Sequence, residues 1–323
     1  MTFIASVIAK KGVAIIADSL VTSSPLILHY SRFLDHLEKQ KPNAAGEISL
    51  NAAEIESLFG QEPIYTKDYE EKLFKLNKYT AITTTGIAEI NKKKIIDIVH
   101  EFAVSRSDIE NLSIPITDKI KQFSDFVINE VKQHIAENSY IGSCIFIVTF
   151  YDHLLATAHI YRIVVLEADK RALETEHYPF LRIRKEENWI KVVCDGQNKL
   201  SDNVLYGIGK LFWDIFGDVV RNILDKLDLP NGAIPLDFVE TLQEDPYFKN
   251  IFYGDVALLN LTDLSLQQAV DLASLLMRLE VDFQKYTRNV PTVGGLIKLA
   301  IIDENGFKFI SGNEVQPPRH IVL

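Results

Sequence analysis

Met1-Thr2-Phe3-Ile4-Ala5-Ser6-Val7-Ile8-Ala9-Lys10-Lys11-Gly12-Val13-Ala14-Ile15-Ile16-Ala17-Asp18-Ser19 opens the chain and carries most of what the sequence says about its fold. It reads as two apolar, β-prone runs joined at Lys10-Lys11-Gly12, where glycine supplies the positive φ that a tight hairpin needs. The second run ends in a lone carboxylate, Asp18. Removal of Met1, usual before a small residue, would leave Thr2 with a hydroxyl nucleophile and a free α-amine on one residue. Such an amine titrates near pH ~7.7–8 and can accept the hydroxyl proton. The plainer alternative makes Thr2 the first residue of an edge strand. A secretory leader does not fit, because the lysines follow the apolar stretch and Asp18 stands where a small-residue cleavage site should be.

Two further segments bear on the same chemistry. Lys72-Leu73-Phe74-Lys75-Leu76 alternates, so Lys72 and Phe74 share one face of a strand while Leu73 and Lys75 share the other. A buried cation at Lys72 would need a carboxylate partner, which Asp18 can supply. Residues 79–85 are small and β-branched, and Gly86 follows Thr83-Thr84-Thr85 at a strand-to-helix turn.

The remaining elements follow from periodicity. Ile87, Ile90, Ile95, Ile98, Val99 and Phe102 predict a helix over 87–104, and Ile120, Phe123, Phe126, Val127, Val131 and Ile135 a second over 114–136. Two successive helices after a β layer pack on one side of a sheet. Two strands are expected within 141–166, an irregular charged stretch over 168–187, a strand at 189–194 and a helix over 200–227. Ser265 with Gln268 has the form of a capping box opening a helix to about residue 285. Asp303-Glu304-Asn305-Gly306 joins a last hairpin, Asn-Gly being the favoured two-residue turn. Between Asp18 and Lys72 the chain makes an excursion with helical spacing at 28–40 and 51–59, punctuated by prolines and glycine.

Composition narrows the class. At 323 residues, 47% hydrophobic and 24% charged, the chain can fill one large domain with insertions, and its net charge of −10 argues against a nucleic-acid partner. No run of about 18 apolar residues exists, so no membrane span is expected. Cys144 and Cys194 sit in apolar runs and read as buried free thiols in a reducing cytoplasm. The histidines are dispersed, and the Lys92-Lys93-Lys94 run reads as a solvated helix face.

In their order and spacing, Thr2, the strand ending at Asp18-Ser19, Lys72-Leu73-Phe74-Lys75-Leu76 and Thr83-Thr84-Thr85-Gly86 resemble the proteasome β-subunit family of N-terminal nucleophile hydrolases, in particular bacterial proteasome-related subunits of the Anbu kind. Cys194-Asp195-Gly196-Gln197-Asn198-Lys199 and Val293-Gly294-Gly295-Leu296-Ile297-Lys298-Leu299-Ala300 are similar to later family segments. The resemblance implies an α+β fold, a four-layer αββα sandwich of two antiparallel sheets flanked by helices, as a single domain over 1–323 with insertions at about 23–71 and 228–262. It implies a cytoplasmic threonine peptidase without cofactor or metal, acting on peptide or unfolded protein within a homo-oligomeric ring or open helical assembly, with a possible unfoldase partner. Thr2 would be the nucleophile, Lys72 and Asp18 would set the electrostatics, and a donor between Thr83 and Gly86, with Thr85 and Gly86 as site residues, would hold the oxyanion.

The sequence departs from the family in two linked places. Leu20 stands where an arginine usually follows the aspartate, and residues 288–295 carry no carboxylate, leaving Asn289 or Thr292 to hydrogen-bond the amine. That departure keeps open a catalytically silent structural subunit, and the superfamily at large keeps open an amidohydrolase of small amides.

Overall fold

The computed structural model describes residues 2–23, 26–40, 48, 51–61, 64–67, 69–186, 191–206, 210–226, 261, 263–286 and 291–310. Ten strands form its frame: β1 (Phe3–Ala9), β2 (Gly12–Ala17), β3 (Leu73–Asn77), β4 (Thr80–Gly86), β5 (Cys144–Asp152), β6 (Thr157–Val165), β7 (Leu181–Lys185), β8 (Val192–Gly196), β9 (Lys298–Asp303) and β10 (Gly306–Phe309). They pair as two five-stranded sheets, in the orders β8-β1-β2-β9-β10 and β7-β6-β5-β4-β3. Every neighbouring pair is antiparallel.

The N-terminal runs are apolar at nearly every position because both faces of their sheet are covered, and every residue of β1 and β2 is buried. Phe3, Ala5, Val7 and Ala9 face one way, onto helix α8 (Leu266–Phe283) through Ala269, Val270, Ala273 and Met277. Ile4 and Ile8, with Val13 and Ile15 of β2, face the second sheet and meet Leu73, Ala81, Ile147 and Ile160. A hydrogen bond between the Ser6 and Thr149 hydroxyls, at 2.9 Å, crosses this inner layer. The outer face of the second sheet, including Phe74, Ile82, Phe146 and Ile163, packs on helices α3 (Ile95–Ser105) and α4 (Ile116–Asn138). Layers therefore run helices, sheet, sheet, helices in an α+β sandwich. Burying each large aliphatic or aromatic side chain contributes about 1.5–3 kcal/mol, so the three apolar clusters are what hold the layers together.

The excursion between β2 and β3 is a two-stranded ribbon. Val21–Ser23 pairs with Ile64–Lys67, and Leu26–Leu28 with Phe59–Gln61. Helices α1 (Tyr30–Lys39) and α2 (Ala52–Leu58) lie between the ribbon's strands, close to the helical spans read from the sequence. The ribbon strands are too short to show a periodicity in the sequence. Beyond the ribbon, the second insertion, expected at about 228–262, lies outside the described residues except for Leu261.

Several expectations are corrected. The helix expected over 87–104 begins only at Ile95, because Asn91 and Lys92 take positive φ (53° and 60°) in a tight hairpin of Glu89–Ile90 with Lys93–Lys94. Ile90 still reaches the core, which is why it fits the helical stripe. The three lysines lie on this hairpin and not on a helix; Lys92 and Lys94 are solvated as expected, and the run pairs with carboxylates, Lys92 with Glu137 at 2.6 Å, Lys93 with Glu101 at 2.7 Å and Glu130 at 2.9 Å, and Lys94 with Glu70 at 3.5 Å. The charged stretch 168–187 contains a short helix, α5 (Lys170–Glu174), and the edge strand β7. Most of β7 is exposed, so pairing with β6 and not an apolar face creates it.

The helix expected over 200–227 is described as α6 (Lys199–Tyr206) and α7 (Lys210–Lys226). In the last hairpin Asp303 pairs with Gly306, so the two-residue loop is Glu304-Asn305 and the glycine begins β10. Gly12 does have the expected positive φ, 149°, and a Cβ there would fall 2.7 Å from Ile302 O. The Ser265 capping box is present in both directions.

Candidate active site

Thr2 immediately precedes β1 and is 3% exposed. Its carbonyl oxygen accepts the Gln197 N–H at 2.6 Å, from the turn that ends β8. Gly196 in that turn has φ +89°, and a Cβ on it would lie 1.9 Å from Thr2 O, so only glycine lets the two backbones meet. Asp195 fixes the turn. It accepts the Gly196 N–H at 2.6 Å and pairs with Arg162, which also donates to Cys194 O at 3.3 Å and to Glu186 at 2.7 Å.

Asp18 closes β2 on the same side of the sheet. Its carboxylate accepts the Phe3 N–H at 3.1 Å, the Gly294 N–H at 3.0 Å and the Lys72 Nζ at 2.9 Å. Lys72 donates also to Leu20 O at 2.5 Å. Both side chains are nearly sealed from solvent, with 8% of Lys72 and none of Asp18 exposed. Burial pulls the Lys72 ammonium below the ordinary lysine value and the Asp18 attraction partly restores it. Burial pushes Asp18 up, against the lowering influence of Lys72 and the two backbone donors. A buried pair of this kind adds little net stability.

The pocket at this point is lined by Thr2, Lys72, Thr84, Thr85 and Gly86, among others. Thr85 and Gly86 end β4 opposite Ile145 and Cys144 of β5 and line the same pocket as Thr2. Thr292, 4% exposed, is tied to Gln284 of the 3-10 turn after α8 and, through its hydroxyl, to the Gln197 side chain. It thus reaches Thr2 through the residue that holds the Thr2 carbonyl. Asn289 lies outside the described residues.

Of the residues singled out in the sequence, the structure gathers Thr2, Lys72, Thr85 and Gly86 around one pocket, with Asp18 beneath and Thr292 at one remove. Gln197, Gln284, Arg162 and Glu186 had no role assigned from sequence reasoning. Arg162 in an alternating strand looks like a solvent-facing position, and no local pattern marks its partners. Both cysteines are buried free thiols, and burial pushes Cys144 up to about 12, which leaves it inert as a nucleophile. Among the described residues no group of three or more His, Cys, Asp or Glu is placed to hold a metal ion. No described helix is long and apolar enough to cross a membrane. Compared with protein-family models and with curated proteins, the chain matches none.

Proposed function

We propose that the protein is an N-terminal threonine hydrolase of the proteasome-related class, with the N-terminal nucleophile hydrolase fold, cleaving peptide bonds in peptide or unfolded substrates within a homo-oligomer. The reading rests on one observation above the others: Thr2, Lys72 and the Thr85-Gly86 turn line a single pocket while Asp18 holds Lys72 at 2.9 Å. Once Met1 is removed, Thr2 Oγ1 attacks the scissile carbonyl and its proton passes to the α-amine. Lys72 keeps positive charge beside that amine, favouring its neutral, basic form. The tetrahedral oxyanion takes a backbone N–H from the Thr85-Gly86 turn. The amine then returns the proton to the leaving nitrogen as the C–N bond breaks, and water hydrolyses the resulting ester to free Thr2.

The pH profile carries the signature of these groups. On the acid side kcat/KM rises as the α-amine loses its proton, below the ~7.7–8 of an unperturbed amine because the Lys72 charge disfavours the ammonium. On the alkaline side it falls below 10.5, as Lys72, its titration lowered by burial, gives up the charge that also stabilises the oxyanion forming in the same pocket.

Mass spectrometry of the purified N-terminus, with hydrolysis of fluorogenic peptides and of small amides by wild type and Thr2→Ala, tests the reading. It requires a free Thr2 and peptide hydrolysis that vanishes in the variant. Retained Met1 with no hydrolysis makes the chain a silent subunit, and turnover of small amides alone makes it an amidohydrolase.

A further inference from the structure

Arg162 breaks the pattern of its strand. Ala158 and Ile160 of β6 point into the apolar layer between the sheets, and alternation puts Arg162 on that face too, across from Ile147 of β5. Packing alone would favour an aliphatic side chain there. Replacing a buried ion cluster by apolar groups of similar volume is often neutral or stabilising, so stability does not account for the arginine. Its three bonds do. Nε donates to Glu186 at 2.7 Å, Nη2 donates to Cys194 O at 3.3 Å, and Nη1 pairs with the Asp195 carboxylate. Glu186 is itself fixed, by Arg184 at 2.9 Å and by its backbone N–H, which donates to Ile160 O at 2.9 Å.

The guanidinium therefore stands on the second sheet and grips the end of β8 in the first. That strand lies at the sheet's edge and pairs with β1 alone among the described residues, so its distance from the second sheet is set by side chains. Asp195, opposite Ile4 in register, accepts the Gly196 N–H at 2.6 Å, and the next N–H, of Gln197, donates to Thr2 O at 2.6 Å. A Cβ on Gly196 would lie 3.2 Å from Thr85 Oγ1 as well as against Thr2 O, so the turn is wedged between the threonine and the end of β4. A planar fork that meets three acceptors at fixed angles holds such a turn in place, as a single ammonium does not.

We infer that Arg162 is a positioning residue for Thr2: it fixes the 195–197 turn against the second sheet and so sets where the threonine stands relative to the Thr85-Gly86 turn. The effect on turnover rests on the proposed function, whereas the placement of Thr2 does not. Arg162 does not line the pocket beside Thr2, so its loss acts on kcat and not on KM.

The experiment compares wild type, Arg162→Met, Arg162→Lys and Thr149→Val as full chains, by hydrogen exchange at the Gln197 amide read by NMR, urea stability and hydrolysis of the fluorogenic peptides. In Arg162→Met the Gln197 amide exchanges roughly tenfold or more faster. Its kcat falls about tenfold to a hundredfold with KM within about twofold, the scale of a small misplacement of reacting groups. Arg162→Lys keeps the charge but not the fork, shows both changes at smaller size, and carries the test if the methionine variant does not fold. Thr149→Val removes the Ser6 bond across the same layer, away from the turn, and lowers stability without slowing turnover. Unchanged Gln197 exchange in the Arg162 variants, a loss carried in KM instead of kcat, or an equal fall of kcat in Thr149→Val overturns the inference. Faster Gln197 exchange in a folded Arg162→Lys, in a chain whose wild type shows no Thr2-dependent hydrolysis, overturns the proposed function and leaves the inference standing.

Discussion

The β1–β2 hairpin and the excursion that follows it are consecutive in the chain and opposite in construction. Every residue of the two strands is buried, between α8 on one side and the second sheet on the other. The excursion's first helix, α1, has no buried residue. In the hairpin, packing dictates residue type at each position, and the strands place Thr2 and Asp18 with little freedom. Along the ribbon and its helices, packing dictates much less. The pocket lies where the two regimes meet, with Thr2 on one wall and Leu20, Val21 and Thr22 on another. Under the proposed function, the chemistry is built on the tightly packed element, and what reaches it is shaped by the permissive one.

The sharpest test of that contrast is Asp18. Asp18→Ala leaves the buried Lys72 ammonium and the Phe3 and Gly294 N–H groups without their acceptor. Removing one partner of a buried pair costs about 3–5 kcal/mol, read as a fall in the urea midpoint, and activity is lost with it. Asp18→Asn keeps the volume and can still accept hydrogen bonds. Because the Asp18 charge raises Lys72 against the pull of burial, its loss sends the alkaline limb of the pH profile to lower pH. An unmoved limb would mean that Lys72 is not the group titrating there.

Next in size is Gly196→Ala. The added Cβ has nowhere to go but toward Thr2 O, so the turn must shift and Thr2 with it. Strain of this kind is worth about 1–3 kcal/mol. The larger readout is kinetic: kcat falls while KM changes little, since the pocket walls at Leu20 and Ile87 are untouched. A parallel rise in KM would show that the turn shapes substrate binding as well.

These positions also show what was legible in advance. The hairpin, Lys72 and the β4 turn are contiguous segments read by local rules: apolar runs for a doubly covered strand, a carboxylate for a buried cation, glycine where φ is positive. Asp18 with Lys72 could be paired from the sequence because a buried cation demands a carboxylate. The Gln197–Thr292 tie and the Arg162–Asp195 clamp join residues 95 and 33 positions apart, and neither member advertises the other. The false helix start at 87 has the same origin. Ile87 and Ile90 serve the same core as Ile95 and Ile98, so their spacing mimics a helix while Asn91 and Lys92 turn the backbone the other way. Periodicity reports which residues are buried and is silent on the path between them.

The smallest effect belongs to the other side of the comparison. Leu34 on α1 is 37% exposed, and Leu34→Ser in an isolated chain should change stability by no more than about 0.5 kcal/mol, as surface substitutions do. Ile15→Ala in the inner layer, at 0% exposed, should cost about 2–5 kcal/mol in the same urea series. The two values bracket the difference between floor and arm. Repeating Leu34→Ser across a range of protein concentrations sharpens it, because a subunit that covered α1 in an assembly would make the cost of the serine grow with concentration. A loss above about 1 kcal/mol at the lowest concentration would break the contrast outright, since the arm's apolar face would then be part of the monomer's own core.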